Sequence, residues 1–104
     1  MIKLWYAFAK RLDDPFLRHG ANVGYRVHSK YRRKGIGKKI LQELINQCKN
    51  KFKILWAGSS SNNKASQRLL LSTGFKIYGV APKRFKVGRR YFNGIFFYKE
   101  LENK

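Results

Sequence analysis

The chain has 104 residues, enough for one domain with one modest core. Its 43% hydrophobic and 15% aromatic content is too apolar for a disordered polycation. Lysine and arginine number 24 against 5 acids, a formal charge of +19 that calls for an anionic partner: nucleic acid, an anionic lipid surface or a phosphate-bearing cofactor.

Ile2 to Ala9 is predicted as a strand rather than a signal peptide, because its apolar run is short and Lys3 interrupts it. The alternative for this end is a mitochondrial presequence, since Lys3, Lys10 and Arg11 precede the first acid. Asp13-Asp14-Pro15 is a turn signal. Asn22 to His28 reads as a second strand, with Val23, Tyr25 and Val27 alternating on one face. From Ile36 the period changes. Ile36, Ile40, Leu41, Leu44, Ile45 and Cys48 recur at helical spacing, with charged and amide residues opposite them, and the helix ends near Asn50. Phe52 to Ala57 is a short buried strand, and Gly58 to Asn63 a loop that supplies a helix N-cap. A second helix turns Ala65, Leu69 and Leu70 inward and stops at Gly74. Phe75 to Val80 and Tyr91 to Tyr98 pair as a hairpin across a basic connection, Pro82 to Arg90. The order β-β-α-β-α-β-β predicts a single α/β domain over residues 1–104 with a mixed sheet and flanking helices. The single cysteine, Cys48, suits a reducing compartment and a core position. No run is long enough to span a bilayer, so the expected location is cytoplasmic.

Chemistry concentrates where the second strand runs into Arg32-x-x-Gly35-x-Gly37 at a helix start. A helix N-terminus leaves backbone N–H groups unpaired under a partial positive charge, and glycine removes the side chain that would keep a phosphate away. Arg32, Arg33, Lys34 and Lys38 add charge at the same place. The pattern is a pyrophosphate cradle, but neither a Walker loop nor a dinucleotide fingerprint, whose spacings are absent. Read alone, it is also satisfied by a glycine-rich turn with a solvated face.

A second motif follows one strand later: Asn63-Lys64-Ala65-Ser66-Gln67-Arg68-Leu69-Leu70-Leu71-Ser72-Thr73-Gly74-Phe75. Together the two stretches resemble the GNAT acyltransferase superfamily, and Tyr91-Phe92-Asn93-Gly94 resembles the last hairpin of many members. The resemblance spans roughly residues 20 to 101. It implies a GNAT-like fold and an acetyl-CoA-dependent N-acetyltransferase, in which an amine attacks the thioester directly. It also implies site residues. The backbone N–H groups from Arg33 through Gly35, Ile36, Gly37 and Lys38 would hold the CoA pyrophosphate, with Arg32 alongside. The strand residues Tyr25, Arg26 and Val27 would bind the pantetheine, and the Val27 N–H would polarise the thioester carbonyl. Asn63 and Ser66 are further cofactor-binding candidates, and Asn63 also fits an ordinary N-cap. No metal is implied.

Two departures from the family pattern qualify this. The tyrosine that many members use to protonate the thiolate is Leu70 here. The match also starts at the family's second or third strand, so the usual N-terminal strand and helices, which form much of the acceptor groove, lack a counterpart. A minimal member, a truncated relative and half of an oligomeric site all fit, and an open sheet edge would favour a homodimer. His28 is the base candidate by position and intrinsic pKa, ahead of His19. Glu43 lies on the polar helix side, and Asp13 and Asp14 are turn residues. Tyr25, Tyr31, Tyr78 and Tyr91 are phenols whose simpler fate is packing. The competing reading is a basic nucleic-acid- or ribosome-binding module that keeps the fold without catalysis. It rests on the cluster from Lys30 to Lys39 and on a second one from Lys83 to Arg90. No zinc-ligand, RRM or KH signature supports it.

Overall fold

The computed structural model describes residues 5–27 and 35–102. Within them the chain runs β1 (Trp5–Arg11), β2 (Gly20–Val27), α1 (Ile36–Cys48), β3 (Ile54–Ser60), α2 (Lys64–Ser72), β4 (Lys76–Val87) and β5 (Arg90–Glu100). The strands form one sheet in the order β1-β2-β3-β5-β4. β2 and β3 run parallel, and the other neighbours are antiparallel. The mixed sheet and the element order are those expected from the sequence.

Both helices lie on one face of the sheet. Ala21 and Val23 of β2, Leu55 and Ala57 of β3 and Phe97 of β5 share a cluster with Leu41, Ile45 and Cys48 of α1 and Leu70 of α2. Leu41, Leu55, Leu70 and Phe97 are fully buried, and each contributes roughly 1.5–3 kcal/mol relative to an exposed side chain. The stripe Ile40, Leu41, Ile45, Cys48 follows from the 3.6-residue period, so Cys48 is a core residue as its spacing predicted. Strand alternation sends Asn22, Trp56, Phe96 and Tyr98 to the opposite face, which no helix covers among the described residues.

Four local expectations need correction. Ala65 is exposed, because the inward stripe of α2 is Ser66, Leu69, Leu70 and Thr73, and Ala65 lies about 100° off it. The segment Gly58-Ser59-Ser60 is strand rather than loop, since β5 pairs with it as far as Ser60↔Gly94. The basic stretch from Pro82 to Arg90 is strand on both sides of a two-residue turn, Gly88-Arg89, with Gly88 at φ 63°. Pro82 is tolerated because β4 is an edge strand and the register shifts between Ala81 and Phe85. The first strand, expected to end at Ala9, runs on to Arg11, and its expected start at Ile2 lies outside the described residues.

Candidate functional site

The parallel pair β2/β3 is short. Its register runs Gly20↔Ile54, Ala21↔Leu55, Asn22↔Trp56 and stops there. β1 meanwhile stays paired with β2 out to Trp5↔Val27. From Val23 onward the two central strands diverge, and the backbone groups of residues 23–27 that face β3 have no strand partner among the described residues. Open α/β sheets bind ligands in such a crevice, beyond the carboxyl ends of parallel strands. Tyr25, Arg26 and Val27, the predicted strand segment, lie along this unpaired edge.

Both helices begin at this end of the sheet, because each follows the carboxyl end of one of the two parallel strands. α1 is capped by Gly35 in the left-handed region, φ 73°, with no side-chain hydrogen bond to the cap. The Gly35 carbonyl accepts from the Lys39 N–H at 3.2 Å, so the helix starts there. A Cβ at Gly35 would meet nothing within 4 Å, so the approach to these first N–H groups is open among the described residues. Neither helix carries an acid in its first turn. The partial positive charge of both termini is therefore uncompensated by acidic side chains there, an arrangement that suits a phosphate. Gly35, Ile36, Gly37 and Lys38 stand where the motif predicted. Arg32, Arg33, Lys34, Tyr31 and the base candidate His28 lie outside the described residues.

At α2 the cap is a side chain: Asn63 Oδ1 accepts from the Ser66 N–H at 3.1 Å. Tyr25 connects the two sides of the crevice. Its hydroxyl donates to the Ser66 carbonyl oxygen at 3.1 Å and also meets Ser66 Oγ. Burial pushes the Tyr25 phenol above its ordinary value, and the Ser66 bond offsets only part of that. Sequence position placed Tyr25, Asn63 and Ser66 on two separate elements, and the structure brings them together.

The remaining candidates separate from this group. Leu70 is fully buried, so its side chain reaches the core and not the crevice. Glu43 is exposed on α1. His19 is exposed and meets the Trp56 ring edge-on at 5.9 Å. On the sheet face away from the helices, an open cavity of about 400 Å³ reaches the gap between the strands, lined by Leu17, Val23, Trp56, Ala57, Gly58 and Phe96 among others. Among the described residues no group of three His, Cys, Asp or Glu side chains could hold a metal ion, and no helix is long and apolar enough to cross a membrane.

Three further positions near the crevice were not proposed as site residues from the sequence. Ser59 is buried on β3 beside the divergence. Gln67 Nε2 donates to the carbonyls of Ser60 and Ser61 at 3.1 and 3.2 Å and so fixes the loop leading into α2. The Asn93 backbone clasps the same loop: its N–H donates to Ser61 Oγ at 3.1 Å and its carbonyl accepts from the Ser61 N–H at 2.8 Å. The Asn93-Gly94 pair is a readable signal of irregular strand geometry. Gln67 has none, since a polar helix residue reads as solvated.

The acetyltransferase (GNAT) family model matches residues 6–75. The L-amino acid N-acyltransferase MnaT of Escherichia coli (strain K12) is 34% identical over 67 residues, which is 64% of this chain and 39% of that protein. Among solved structures, yncA of Salmonella typhimurium, described as an acetyltransferase with its cofactor acetyl-CoA, superposes with a TM-score of 0.90 at 26% identity, over 97% of this chain and 60% of the other. A ribosomal-protein-alanine N-acetyltransferase from Brucella melitensis gives 0.86 at 30% identity, over 94% and 62%. The chain thus spans less than two thirds of the length of each of these relatives.

Proposed function

The chain belongs to the acetyltransferase (GNAT) family, and from that premise we propose that it binds acetyl-CoA in the β2/β3 crevice and acts as an N-acetyltransferase on an amine acceptor. The observation that carries this reading is the end of β2/β3 pairing at Asn22↔Trp56, directly before two helix N-termini that lack acids. The residues present fit the ligand. Gly35, Ile36, Gly37 and Lys38 offer backbone N–H groups to a pyrophosphate, with Arg32, Arg33 and Lys34 as the adjoining charge. The unpaired edge of Tyr25, Arg26 and Val27 offers peptide groups to an extended amide-bearing arm, and Asn63 and Ser66 face it from α2. Acetyl-CoA, when bound, supplies the acyl group as a thioester.

Transfer needs a neutral amine, so a base takes one proton from the acceptor ammonium; the nitrogen sheds a second as the tetrahedral adduct collapses, and an acid gives one to the departing sulfur. His28 is the base that the sequence offers. For the acid, Leu70 is unable to serve, and Tyr25 is the described group on the splayed strand with a proton to give. The Tyr25 phenol is protonated at neutral pH as any tyrosine is, and burial raises its pKa further, so it has a proton to give and does not serve as a base. The Val27 N–H is the group we assign to polarise the acyl carbonyl, in the manner of an oxyanion-hole donor. The acceptor approaches through the cavity on the open sheet face, where Trp56 and Phe96 favour an apolar or aromatic portion next to the amine.

Calorimetric titration with acetyl-CoA at moderate salt tests this, with ATP as the anion control and a Gly35→Asp, Gly37→Asp double variant beside the parent. Binding of acetyl-CoA in preference to ATP, lost in the variant, is the expected result. Equal weak binding of both ligands, indifferent to the glycines, would reduce the reading to charge attraction on a shared fold.

A further inference from the structure

The β4–β5 hairpin holds a second concentration of positive charge, well separated in sequence from the crevice motifs. β3 accompanies β5 only as far as Ser60↔Gly94, so beyond Gly94 the hairpin continues as a two-stranded arm with no third strand among the described residues. Lys83, Arg84, Lys86, Arg89 and Arg90 lie on it, and no acid occurs between Glu43 and Glu100. Isolated two-stranded ribbons are marginal in water, yet this one leaves Val87 60% and Tyr91 54% exposed. Its base is well anchored: Asn93 Oδ1 accepts from the Lys83 N–H at 3.1 Å, holding Lys83 at φ 51°, while the Asn93 backbone is bonded to Ser61. The arm is therefore a held projection.

Its two faces differ. Phe85↔Phe92 and Val87↔Arg90 oppose each other on one face, and Lys86↔Tyr91 on the other. On the first, the Arg84 guanidinium sits 6.0 Å from the Phe85 ring and 5.6 Å from Phe96, and Arg90 sits 5.5 Å from Phe92. On the second, the Lys83 and Lys86 ammonium groups lie 5.9 and 5.8 Å from the centre of the exposed Tyr91 ring. A flat ring flanked by two lysine ammonium groups is the combination that receives a base and its neighbouring phosphates.

We propose that this arm binds single-stranded nucleic acid, with one base stacked on Tyr91 and the adjoining phosphates on Lys83, Lys86, Arg89 and Arg90. Charge complementarity selects a polyanion. The exposed ring selects one with unpaired bases, since a duplex hides its base faces. A lipid surface suits the arm less well, because the turn Gly88-Arg89 is polar and the exposed Val87 and Tyr91 behind it are flanked by Lys86, Arg89 and Arg90. Neither the ring nor the cations read the sugar, so RNA and DNA strands should bind alike. The proposal is independent of acetyl transfer.

Fluorescence anisotropy of labelled oligouridine and oligothymidine of about 12 nucleotides, titrated with the full chain at several salt concentrations, tests it. The expected log–log salt slope is about −3, from roughly four neutralised phosphates. Tyr91→Ala should weaken binding about tenfold at every salt concentration without changing the slope, and Tyr91→Phe should restore it. Lys83→Gln with Lys86→Gln should reduce the slope by about 1.4. Thermal melts matching the parent show that each variant is folded. The proposal is overturned if Tyr91→Ala binds like the parent, or if neither strand binds. It is overturned equally if a duplex of the same length, heparin or phosphatidylserine vesicles bind as tightly as the single strands.

Discussion

At the proposed crevice site, the groups offered to a ligand are backbone N–H groups, fixed by the start of two helices and by a glycine that adds nothing in front of them. On the β4–β5 arm they are side chains, cations grouped around exposed rings on a ribbon whose own backbone is paired. Both regions are basic; the crevice borders the core cluster at Val23, Ala57 and Tyr25, whereas the arm stands clear of it. A fixed set of N–H donors recognises one phosphate group in one place, whereas long cationic side chains and a flat ring tolerate a repeating polymer. Net charge of +19 fails to distinguish the two. Local backbone geometry does.

The largest expected effect separates ligand binding from folding at Gly35. Gly35→Asp should lower acetyl-CoA affinity at least about 100-fold, close to 3 kcal/mol, because a carboxylate then meets the phosphates. At φ 73° any side chain is strained, aspartate less than most, so the melting temperature should fall slightly, a far smaller effect than the loss of affinity. Calorimetry and a thermal melt on the same sample check both halves. If Lys83→Glu on the arm produced the same loss of acetyl-CoA, the two regions would be one site.

Next in size is Leu70→Tyr, which writes the family's tyrosine back into α2. Leu70 is fully buried, so the larger side chain and its hydroxyl should cost about 1–3 kcal/mol. No gain in acetyl transfer is expected, and a rate increase would show that this position faces the crevice after all. Asn63→Ala removes the α2 cap and should cost about 1 kcal/mol in urea melts, with acetyl-CoA binding weakened and oligonucleotide binding unchanged.

The smallest effect concerns alkaline pH. Burial holds Tyr25 above its ordinary 10.0 and Cys48 above its ordinary 9.0. Groups raised in the folded state stabilise it fully below the unfolded value and lose that contribution as pH rises through the folded one. Stability from these two groups should be flat at neutral pH and fall above pH 9. Tyr25→Phe should cost about 1 kcal/mol at neutral pH, from the lost bond to Ser66. The gap to the parent should narrow above pH 10, which urea melts at two pH values would detect.

Much of the fold was legible because its signals are periodic. The stripe of α1, the alternation of β2 and the Gly-x-Gly before a helix each report a backbone state directly. The hairpin was harder. Pro82 and a run of cations suggested a connection, and only the pairing Phe85↔Phe92 to Val87↔Arg90 shows that the ribbon continues. Gly58-Ser59-Ser60 misled for the same reason: small polar residues suggest a loop until a long partner strand claims them. The Tyr25–Ser66 contact joins residues 41 apart in the chain, and no local pattern encodes it.

The most direct test of the contrast is a nitrogen-15 correlation spectrum of the full chain during titration with acetyl-CoA. The account predicts shifts at residues 23–27, at Gly35 to Lys38 and at Asn63 to Ser66, with the amides from Lys83 to Phe92 unmoved. Shifts centred on the arm, with Gly35 and Tyr25 silent, would contradict it.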